Sequence, residues 1–516
     1  MKRISVTTTV LLPSLLLFLF TALLAAQQTT TPLNDSQIYT SSISSGGLQH
    51  YYFSAATLQK RFASALQPHL DKRAPSVAYL SLTSCSQPAA PAGYEGDIPS
   101  LDMYISTSND NTLPGPNQGQ MANDSYPGRL SWQGEISELW IGVVAPTLTN
   151  DWEGNWTFQI AISTQQFVHP LLLSQNNGNI PYLMLDDTDQ THALFLTKSG
   201  QQNASVLLTR NIPPELNYSL CAAENYRVTN YTVNITQTTR GFPGSTWQQV
   251  EAANLTSGTT YTAYYIQSVG AFTGISAPIK FVTKIDGNCR LIYGLDFCDE
   301  VAYSVPADAS LDINAVKNGY DSQAQTLFEP FNVAISQFNC ETTRYSLVRN
   351  CTDCYNDYKR WLCAVAIPRC TSTINGMEDD IPQQSSSATA ARALRAVNVN
   401  ESRNPWIDEN MNPGGWIELL PCIDLCYFVV QSCPPFMQFN CPTGDLARLQ
   451  YGYWRNISVN SNDQDFQFGI NLPTCNRLDA NEGRLVLSKA SNTLQTRFSF
   501  IISTIAITLV IMFSYT

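Results

Sequence analysis

The sequence predicts a multidomain fold in which two all-β sandwich domains are followed by a disulfide-rich, mainly helical domain. Short apolar runs separated by Pro and Gly turns fill the first half of the 516 residues, a pattern typical of β-sandwiches. The cysteines are unevenly divided, since two precede residue 289 and twelve follow from there on. The first half therefore depends on hydrophobic packing, and the second depends largely on crosslinks.

The charge balance excludes one class of function. Lys and Arg number 29 against 41 Asp and Glu, the net charge is −12, and only 14% of residues are charged. No basic run is present, so nucleic acid is not expected as a partner. The low charge and the 14 cysteines indicate a secreted or cell-surface chain rather than a cytosolic enzyme.

Residues 1–26 are predicted to be a secretory signal peptide. Met1-Lys2-Arg3 is followed by an apolar run from Val10 to Ala26, which is the usual order of such signals. An uncleaved signal anchor is the alternative, because Leu23 or Leu24 falls where a small residue usually stands.

Residues 481–516 are predicted to form a linker and a hydrophobic anchor segment. Phe498 to Tyr515 contains no charged residue and is just long enough to span a bilayer. A removable lipid-anchor signal fits this run better than a spanning helix, because no Lys or Arg follows it. A buried helix is the third interpretation.

The first predicted sandwich covers residues 27–165. In Trp156 to Ser163, large apolar residues alternate with small or polar ones, so one face of this strand points to a core. Leu101 to Ile105 alternates in the same way, and Glu138 to Ala145 is a nearly continuous apolar strand. The region resembles the jelly-roll sandwiches appended to secreted peptidases.

The second predicted sandwich covers residues 166–286. Its candidate strands are 182–185, 192–197, 204–208, 231–236, 261–267 and 279–285. Leu255 to Thr262 resembles the turn into a strand of fibronectin type III domains, so a fibronectin-III-like sandwich is expected here.

The cysteine-rich domain is predicted over residues 287–480. Apolar residues at helical spacing predict helices over 320–338, 353–366 and 417–433, the first of them interrupted at Pro330. The segment 371–415 is rich in Ser, Ala, Asn and charge, and is predicted to be a mobile surface loop.

Twelve cysteines in this domain form an even set, as a closed disulfide framework requires. A zinc site needs four ligands with paired spacing, and a redox C-x-x-C needs a βαβ setting, so disulfides are favoured over both. Spacing leaves the pairing open. The set is Cys289, Cys298, Cys340, Cys351, Cys354, Cys363, Cys370, Cys422, Cys426, Cys433, Cys441 and Cys475.

Cys85 and Cys221 lie outside this set, in the two predicted sandwiches. They pair with each other, form one bridge each to the second half, or stay free, and the sequence does not decide among these.

Eleven Asn-x-Ser/Thr sequons are candidate glycosylation sites. Glycosylation requires export and surface exposure. The asparagines are Asn34, Asn123, Asn155, Asn203, Asn217, Asn230, Asn234, Asn254, Asn350, Asn400 and Asn456.

The sequence offers few residues for catalysis or metal binding, and no enzyme activity, cofactor or metal is expected. The four histidines have no G-x-S-x-G partner and are interpreted as surface or edge residues. The run from Asp186 to Asp189 lacks the Gly and Glu of a calcium loop, so a turn between strands is the better interpretation.

The cysteine array carries a specific resemblance. The segments Asn288 to Pro306, Cys351 to Cys354, Tyr358 to Cys370 and Pro421 to Pro435 resemble the fungal stretch-activated calcium-permeable channel component, the mating-pheromone-induced-death protein family. The resemblance covers about residues 289–475.

This resemblance implies an extracellular auxiliary subunit of a fungal high-affinity calcium channel, which stabilises the pore subunit and supports calcium influx. The implied partner is a four-repeat voltage-gated-like pore subunit at the plasma membrane. The animal sodium-leak channel has a similar cysteine-rich partner, so a frizzled-like helical fold is expected. The chain is expected to reach the cell surface by the endoplasmic reticulum secretory route and to be attached to the membrane by its C-terminal segment.

The surface that contacts the pore subunit is placed on one predicted helix, which mixes aromatic and cationic residues as interface hot spots do. The residues are Tyr355, Tyr358, Lys359, Arg360 and Trp361, with Trp406, Trp416 and Phe436 as further candidates. The alternative is that at least half of them are internal core. Two other functions stay open: an anchored adhesion or glycan-recognition protein, and a hydrolase with dispersed carboxylates.

Overall fold

The computed structural model of the chain describes residues 30–54, 76–122, 124–173, 182–198, 204–240, 245–337, 349–372, 392–454 and 473–478. They form two compact units. Unit 1 holds the described residues up to Leu172 together with 212–227 and 267–275, and unit 2 holds the rest. The predicted signal peptide and anchor segment lie outside the described residues.

Strands dominate the first 310 residues, and helices are concentrated after them. The strands are β1 (Thr31–Pro32), β2 (Gln37–Ile43), β3 (Leu48–Ser54), β4 (Ser76–Ser86), β5 (Asp102–Ser106), β6 (Gln120–Met121), β7 (Asp124–Tyr126), β8 (Arg129–Ile136), β9 (Glu138–Val144), β10 (Trp156–Ser163), β11 (Leu171–Leu172), β12 (Met184–Thr188), β13 (His192–Thr197), β14 (Ala204–Thr209), β15 (Thr232–Arg240), β16 (Ser245–Ala253), β17 (Thr260–Val269), β18 (Phe272–Ser276), β19 (Ile279–Val282), β20 (Cys289–Tyr293), β21 (Ala302–Pro306), β22 (Arg369–Thr371), β23 (Leu394–Val397) and β24 (Trp416–Leu419). The helices are α1 (Leu220–Asn225), α2 (Ile313–Ser336), α3 (Cys351–Ala366), α4 (Pro405–Asn410), α5 (Ile423–Ser432) and α6 (Gly444–Gln450).

Unit 1 has the two-layer character of a β-sandwich. One sheet has the strand order β1-β3-β9-β5-β6, and the other has the order β2-β10-β4-β8-β7. Alternation places Trp156, Phe158 and Ile160 of β10 in a single core that both sheets share. The sequence prediction of strands over 101–105, 138–145 and 156–163 is confirmed.

Cys85 and Cys221 pair with each other within unit 1. The disulfide joins β4 to α1, a short helix whose N-terminus is capped by the Ser219 side chain accepting from the Ala222 amide. Asn225 then donates to the Cys85 carbonyl at 3.0 Å. This pairing answers the question that the sequence leaves open for these two cysteines.

Unit 1 also holds β11 and most of β18, and unit 2 combines the other strands with the cysteine-rich segments. A four-stranded sheet has the order β12-β13-β16-β15, and β22, β24 and β23 form a three-stranded sheet. The hairpin β20–β21 and helices α2, α3 and α5 contribute to one hydrophobic core. The helical C-terminal region is thus confirmed, and the predicted limits at 165/166 and 286/287 stay predictions.

The predicted helix over 417–433 is only partly correct. Residues Trp416–Leu419 form β24, which pairs with β22 and β23, and the helix begins at Ile423. Pro421 lies between them, and proline disfavours helical backbone at the residue before it. Trp416, Glu418 and Leu419 are buried in the sheet, so tertiary pairing outweighs the helical spacing.

Two further predictions are wrong. The α2 helix runs unbroken through Pro330, and it buries Phe328, Phe331 and Ile335, each worth roughly 1.5–3 kcal/mol of burial, which offsets the cost of about 3 kcal/mol for an interior proline. The predicted loop 371–415 contains β23 and α4. Residues 373–391 of that loop lie outside the described residues.

Two of the four histidines are buried, so the surface interpretation is wrong for them. His50 and His169 of unit 1 are 5% and 8% exposed. The His50 Nε2 lies 3.1 Å from the Pro114 carbonyl oxygen, and the His169 Nδ1 lies 2.9 Å from the Ser81 hydroxyl. Burial, assisted by the nearby Arg129 charge, lowers the pKa of His169 to about 4.

We expect unit 1 to lose stability as the pH falls from about 6.5 toward 4. Between these values the unfolded chain binds a proton on His169 that the folded chain excludes, which costs about 3 kcal/mol over the interval. His169→Gln stays neutral and keeps the contact with Ser81, so its unfolding free energy falls less with acid. Chemical denaturation of both proteins at pH 7 and 4.5 measures the difference, and parallel pH profiles contradict the expectation.

Candidate partner-binding surface

The helix that carries the predicted partner-binding residues is fixed at both ends. Asn350 and Asp353 form a capping box at the N-terminus of α3, in which each side chain accepts from the other residue's backbone amide. Disulfides Cys354–Cys433 and Cys298–Cys363 hold α3 to α5 and to the turn after β20. The surface of α3 is therefore presented in one orientation.

The three predicted aromatic residues form the edge of the unit 2 core. Tyr358 stacks on Phe331 with ring centroids 3.7 Å apart. Tyr355 packs edge-on against Phe328 at 4.9 Å. All three are half-buried, and the Trp361 Nε1 donates to the Tyr451 hydroxyl at 3.0 Å.

The two predicted cations already have acidic neighbours on the same unit. The Arg360 side chain is buried, and its Nε lies 2.6 Å from a Glu300 carboxylate oxygen. The Lys359 ammonium lies 2.9 Å from Asp299 and 5.1 Å from the centre of the Phe297 ring. Lys359 keeps the larger exposed surface of the two.

The further candidates separate by burial. Trp416 is buried, and Trp406 is half-buried with its ring edge-on to Tyr320. Phe436 is 51% exposed. It is one of six large apolar side chains exposed between residues 427 and 453. Sequence reasoning named only Phe436 among the six, although this segment contains only two charged residues.

The run from Asp186 to Asp189 is neither a calcium loop nor only a turn. Asp187, in β12, accepts from the Lys284 ammonium at 2.6 Å, from the Arg369 Nε at 3.0 Å and from the Ser304 amide at 3.0 Å. The neighbouring Asp186 pairs with Arg240 at 2.8 Å. We call Asp186, Asp187, Arg240, Lys284 and Arg369 the buried charge network.

Two cations of this network, Lys284 and Arg369, share the single carboxylate of Asp187. Burial alone raises the pKa of that carboxyl, but Arg369 and Lys284 outweigh it and hold the pKa below the usual range. The carboxylate is therefore ionised and serves as a shared anion for two cations. Sequence reasoning missed this network because Asp187, Lys284 and Arg369 lie in three separate segments, and no local pattern shows that these segments meet.

A cleft of about 460 Å³ opens beside this network in unit 2, and its lining includes His192, Glu251, Arg290, Tyr293 and Lys317. Asp189 accepts from the His192 backbone amide and pairs with its ring, which raises the pKa of His192. Arg290 donates to three backbone carbonyls. Asp189, His192 and Arg290, three charged or titratable residues of the cleft, are thus engaged in contacts that stabilise its wall.

The cysteines of unit 2 are paired across its elements. The disulfides between described cysteines are Cys289–Cys370, Cys298–Cys363, Cys354–Cys433, Cys422–Cys475 and Cys426–Cys441. Cys351 is also disulfide-bonded, and Cys340 lies outside the described residues. Because Cys354 bonds to Cys433, the C-x-x-C motif is not a redox pair.

Eight of the sequon asparagines are described. Asn34, Asn155, Asn230, Asn234, Asn254, Asn350 and Asn400 are exposed, and Asn217 is half-buried. Asn123, Asn203 and Asn456 lie outside the described residues.

Within the described residues, no group of three or more His, Cys, Asp or Glu side chains is arranged to hold a metal ion. The helices of the same residues include none with the length and apolarity needed to cross a bilayer.

The sheets, the crosslinks and the buried charge network define a multidomain protein stabilised by disulfides, as suits an oxidising compartment. Residues 77–479 match the family described as stretch-activated Ca²⁺-permeable channel component, Mid1. The chain belongs to this family, and the resemblance carried by the cysteine array is confirmed.

Similar proteins support the same assignment. The stretch-activated cation channel yam8 of Schizosaccharomyces pombe is 34% identical over 307 residues, which cover 55% of this chain and 60% of that protein. The stretch-activated cation channel MID1 of Saccharomyces cerevisiae is 29% identical over 372 residues, covering 61% and 64%. The chain thus matches less than two thirds of the length of each. Both relatives are named as stretch-activated cation channels.

A solved structure also aligns, but loosely. The chicken CNTN1 FN1–FN3 domains align with 49% of this chain and 65% of that one, at 8% identity and a TM-score of 0.12. A score this low carries no argument about the fold.

We expect Asp187→Ala to destabilise unit 2 by about 3–5 kcal/mol, because it leaves Lys284 and Arg369 buried without their shared anion. Asp445→Ala removes the exposed Asp445–Arg448 pair of the same unit and is the matched control, with a much smaller expected cost, as is usual for exposed ion pairs. Urea unfolding of the purified proteins measures both values. Equal costs for the two variants contradict the importance of the network.

Proposed function

We propose that the chain is an extracellular auxiliary subunit of a fungal plasma-membrane calcium channel, and that it binds and stabilises the pore-forming subunit. The observation that carries this proposal is the family match over residues 77–479, which takes in nearly all the described residues of both units. The relatives' names as stretch-activated cation channels point to the same process. The role is one of binding and requires no catalysis.

The architecture supports a binding role over a pore-forming one. Unit 1 turns its large apolar side chains into a core between its two sheets, and the helices of unit 2 pack around another. The side chains that fill these internal cores do not face lipid, as those on the outside of a membrane-spanning pore would. The conducting pathway then belongs to the partner, which we propose is a four-repeat voltage-gated-like protein.

We propose that the chain reaches the plasma membrane by the secretory route and faces outward. Seven exposed sequon asparagines suit glycosylation along that route, and the paired cysteines suit its oxidising conditions. Residues 1–26 serve as the export signal in this proposal, and the hydrophobic run of 481–516 holds the chain to the membrane.

We propose a frizzled-like arrangement for the helices of residues 287–480, with the α3 surface as the contact with the pore subunit. Helices α2, α3 and α5 share one core, and disulfides crosslink α3 to the end of α5 and to the turn after β20, which supports this arrangement. Part of the surface stays exposed on Tyr355, Tyr358, Lys359 and Trp361, whereas Arg360 is buried and paired with Glu300. Residues 27–165 and 166–286 form jelly-roll-like and fibronectin-III-like sandwiches in this proposal.

We expect the tagged full chain to recover a four-repeat channel protein from its own membranes in near-equal amount, and cells lacking the chain to lose calcium influx. A tag placed after residue 26 survives both the export step and any processing of the C-terminus. Mass spectrometry of the purified complex and calcium-indicator fluorescence measure the two results. Recovery of wall components without a channel protein contradicts the auxiliary role.

We expect Trp361→Ala to reduce recovery of the pore subunit at least tenfold, since interface hot spots contribute about 2 kcal/mol or more. Tyr451→Phe is the matched control, because it removes the hydrogen bond to the Trp361 indole from the inner side and leaves the outer surface intact. Full recovery with Trp361→Ala, or equal loss in both variants, contradicts a direct contact by Trp361.

A further inference from the structure

Exposed apolar side chains are concentrated on one short stretch of unit 2. Of the twenty large hydrophobic residues that are exposed in the described part of the chain, six fall between residues 427 and 453. We call them the α5–α6 apolar surface. They are Tyr427, Val430, Phe436, Leu446, Leu449 and Tyr453.

The same stretch is nearly free of charge. Its 27 residues include only Asp445 and Arg448 as charged residues. At the 14% charged residues of the whole chain, about four are expected in a stretch of this length. Scattered exposed apolar residues need no explanation, but a concentration of them with few charges marks a surface that is covered in use.

Four of these six side chains lie on helices α5 and α6, which are firmly held, and Phe436 and Tyr453 lie in the segments that follow these helices. Ile423 and Cys426 of α5 pack against Ala447 and Tyr451 at α6, and Cys426 is crosslinked to Cys441. Tyr427 and Val430 are three residues apart on α5, and Leu446 and Leu449 are three apart on α6, so each pair shares one helix face. The exposure is therefore a property of packed helices.

The surface is also tied to the point where the chain continues toward its hydrophobic C-terminal run. Cys422, at the N-terminus of α5, is disulfide-bonded to Cys475, and Pro421 and Cys422 form backbone bridges to Asn476 and Gly452. The described chain ends at Leu478, and the charge-free run begins at Phe498. The twenty residues that follow Leu478, up to Phe498, span at most about 65–70 Å when fully extended. This length sets an upper limit on the distance between Leu478, which lies near α5, and the start of the hydrophobic run.

We propose that the α5–α6 apolar surface rests on the lipid bilayer, with its aromatic and leucine side chains in the headgroup region. The proposal depends on the membrane attachment proposed above. Leu, Phe and Tyr are the residues that lie in bilayer interfaces, and binding there grows with the apolar area that is covered. Since the chain has a net charge of −12, neutral phosphatidylcholine suits this contact better than anionic lipid.

A photoreactive side chain at the surface tests the proposal. The full chain is prepared with p-benzoylphenylalanine in place of Leu449 or, in a second protein, of Leu446. Val399 is the matched control position, because it is 61% exposed against 69% for Leu449 and lies outside the surface, beside the sequon Asn400. Each protein is reconstituted in vesicles of phosphatidylcholine with a small share of alkyne-tagged phosphatidylcholine, irradiated, and scored for tagged lipid per chain.

The expected result is lipid labelling at positions 446 and 449 that is at least fivefold higher than at 399. Equal labelling at the three positions overturns the proposal. The same proteins are also irradiated in their native membranes, where a protein-sized adduct at 446 and 449 without a lipid adduct assigns the surface to a protein partner instead. Co-purification of the unmodified chain with a channel protein is measured separately, so failure of the auxiliary role is distinguished from failure of this contact.

Discussion

The contact on which unit 2 depends most is the one that Asp187 makes with Lys284 and Arg369. Arg369 is 182 residues further along the chain, and Ser304 joins the same carboxylate through its backbone amide. A buried carboxylate is costly unless it is paired and hydrogen-bonded, so these segments must be in place together. The network thereby couples the sheet strand β12 to strands β21 and β22 of the cysteine-rich segments.

The disulfides stabilise the same unit in a different way. Cys298–Cys363 spans 65 residues and Cys354–Cys433 spans 79, and closing loops of this length restricts the unfolded chain by about 4 kcal/mol each in the chain-entropy account. They also fix α3 against its neighbours, which lets half-buried aromatic residues keep one open face. Unit 1 holds one such bond, Cys85–Cys221, and otherwise depends on the core between its sheets.

Local patterns predicted local structure well. Alternation with period two located β5 and β10, and a nearly continuous apolar run located β9. Helical spacing located α3 within two residues of its bounds. What failed depends on distant contacts: β24 is a strand because β22 and β23 pair with it, and α2 passes Pro330 because Phe328 and Phe331 are buried. The burial of His169 and the convergence of charges on Asp187 have no local signal. The segments around the cysteines predicted the family, which the match over residues 77–479 confirms.

For the candidate contact surface, the sequence predicted the helix and left its orientation open. It could not show that Arg360 faces Glu300 or that Trp416 is buried, since both depend on packing. The central claim is that the chain assists a channel without forming the conducting pathway. Current recording from the purified full chain in a planar bilayer, with tension applied, tests this most directly. The account predicts no calcium current from the chain alone, and a tension-gated cation current carried by the chain without a partner would contradict it.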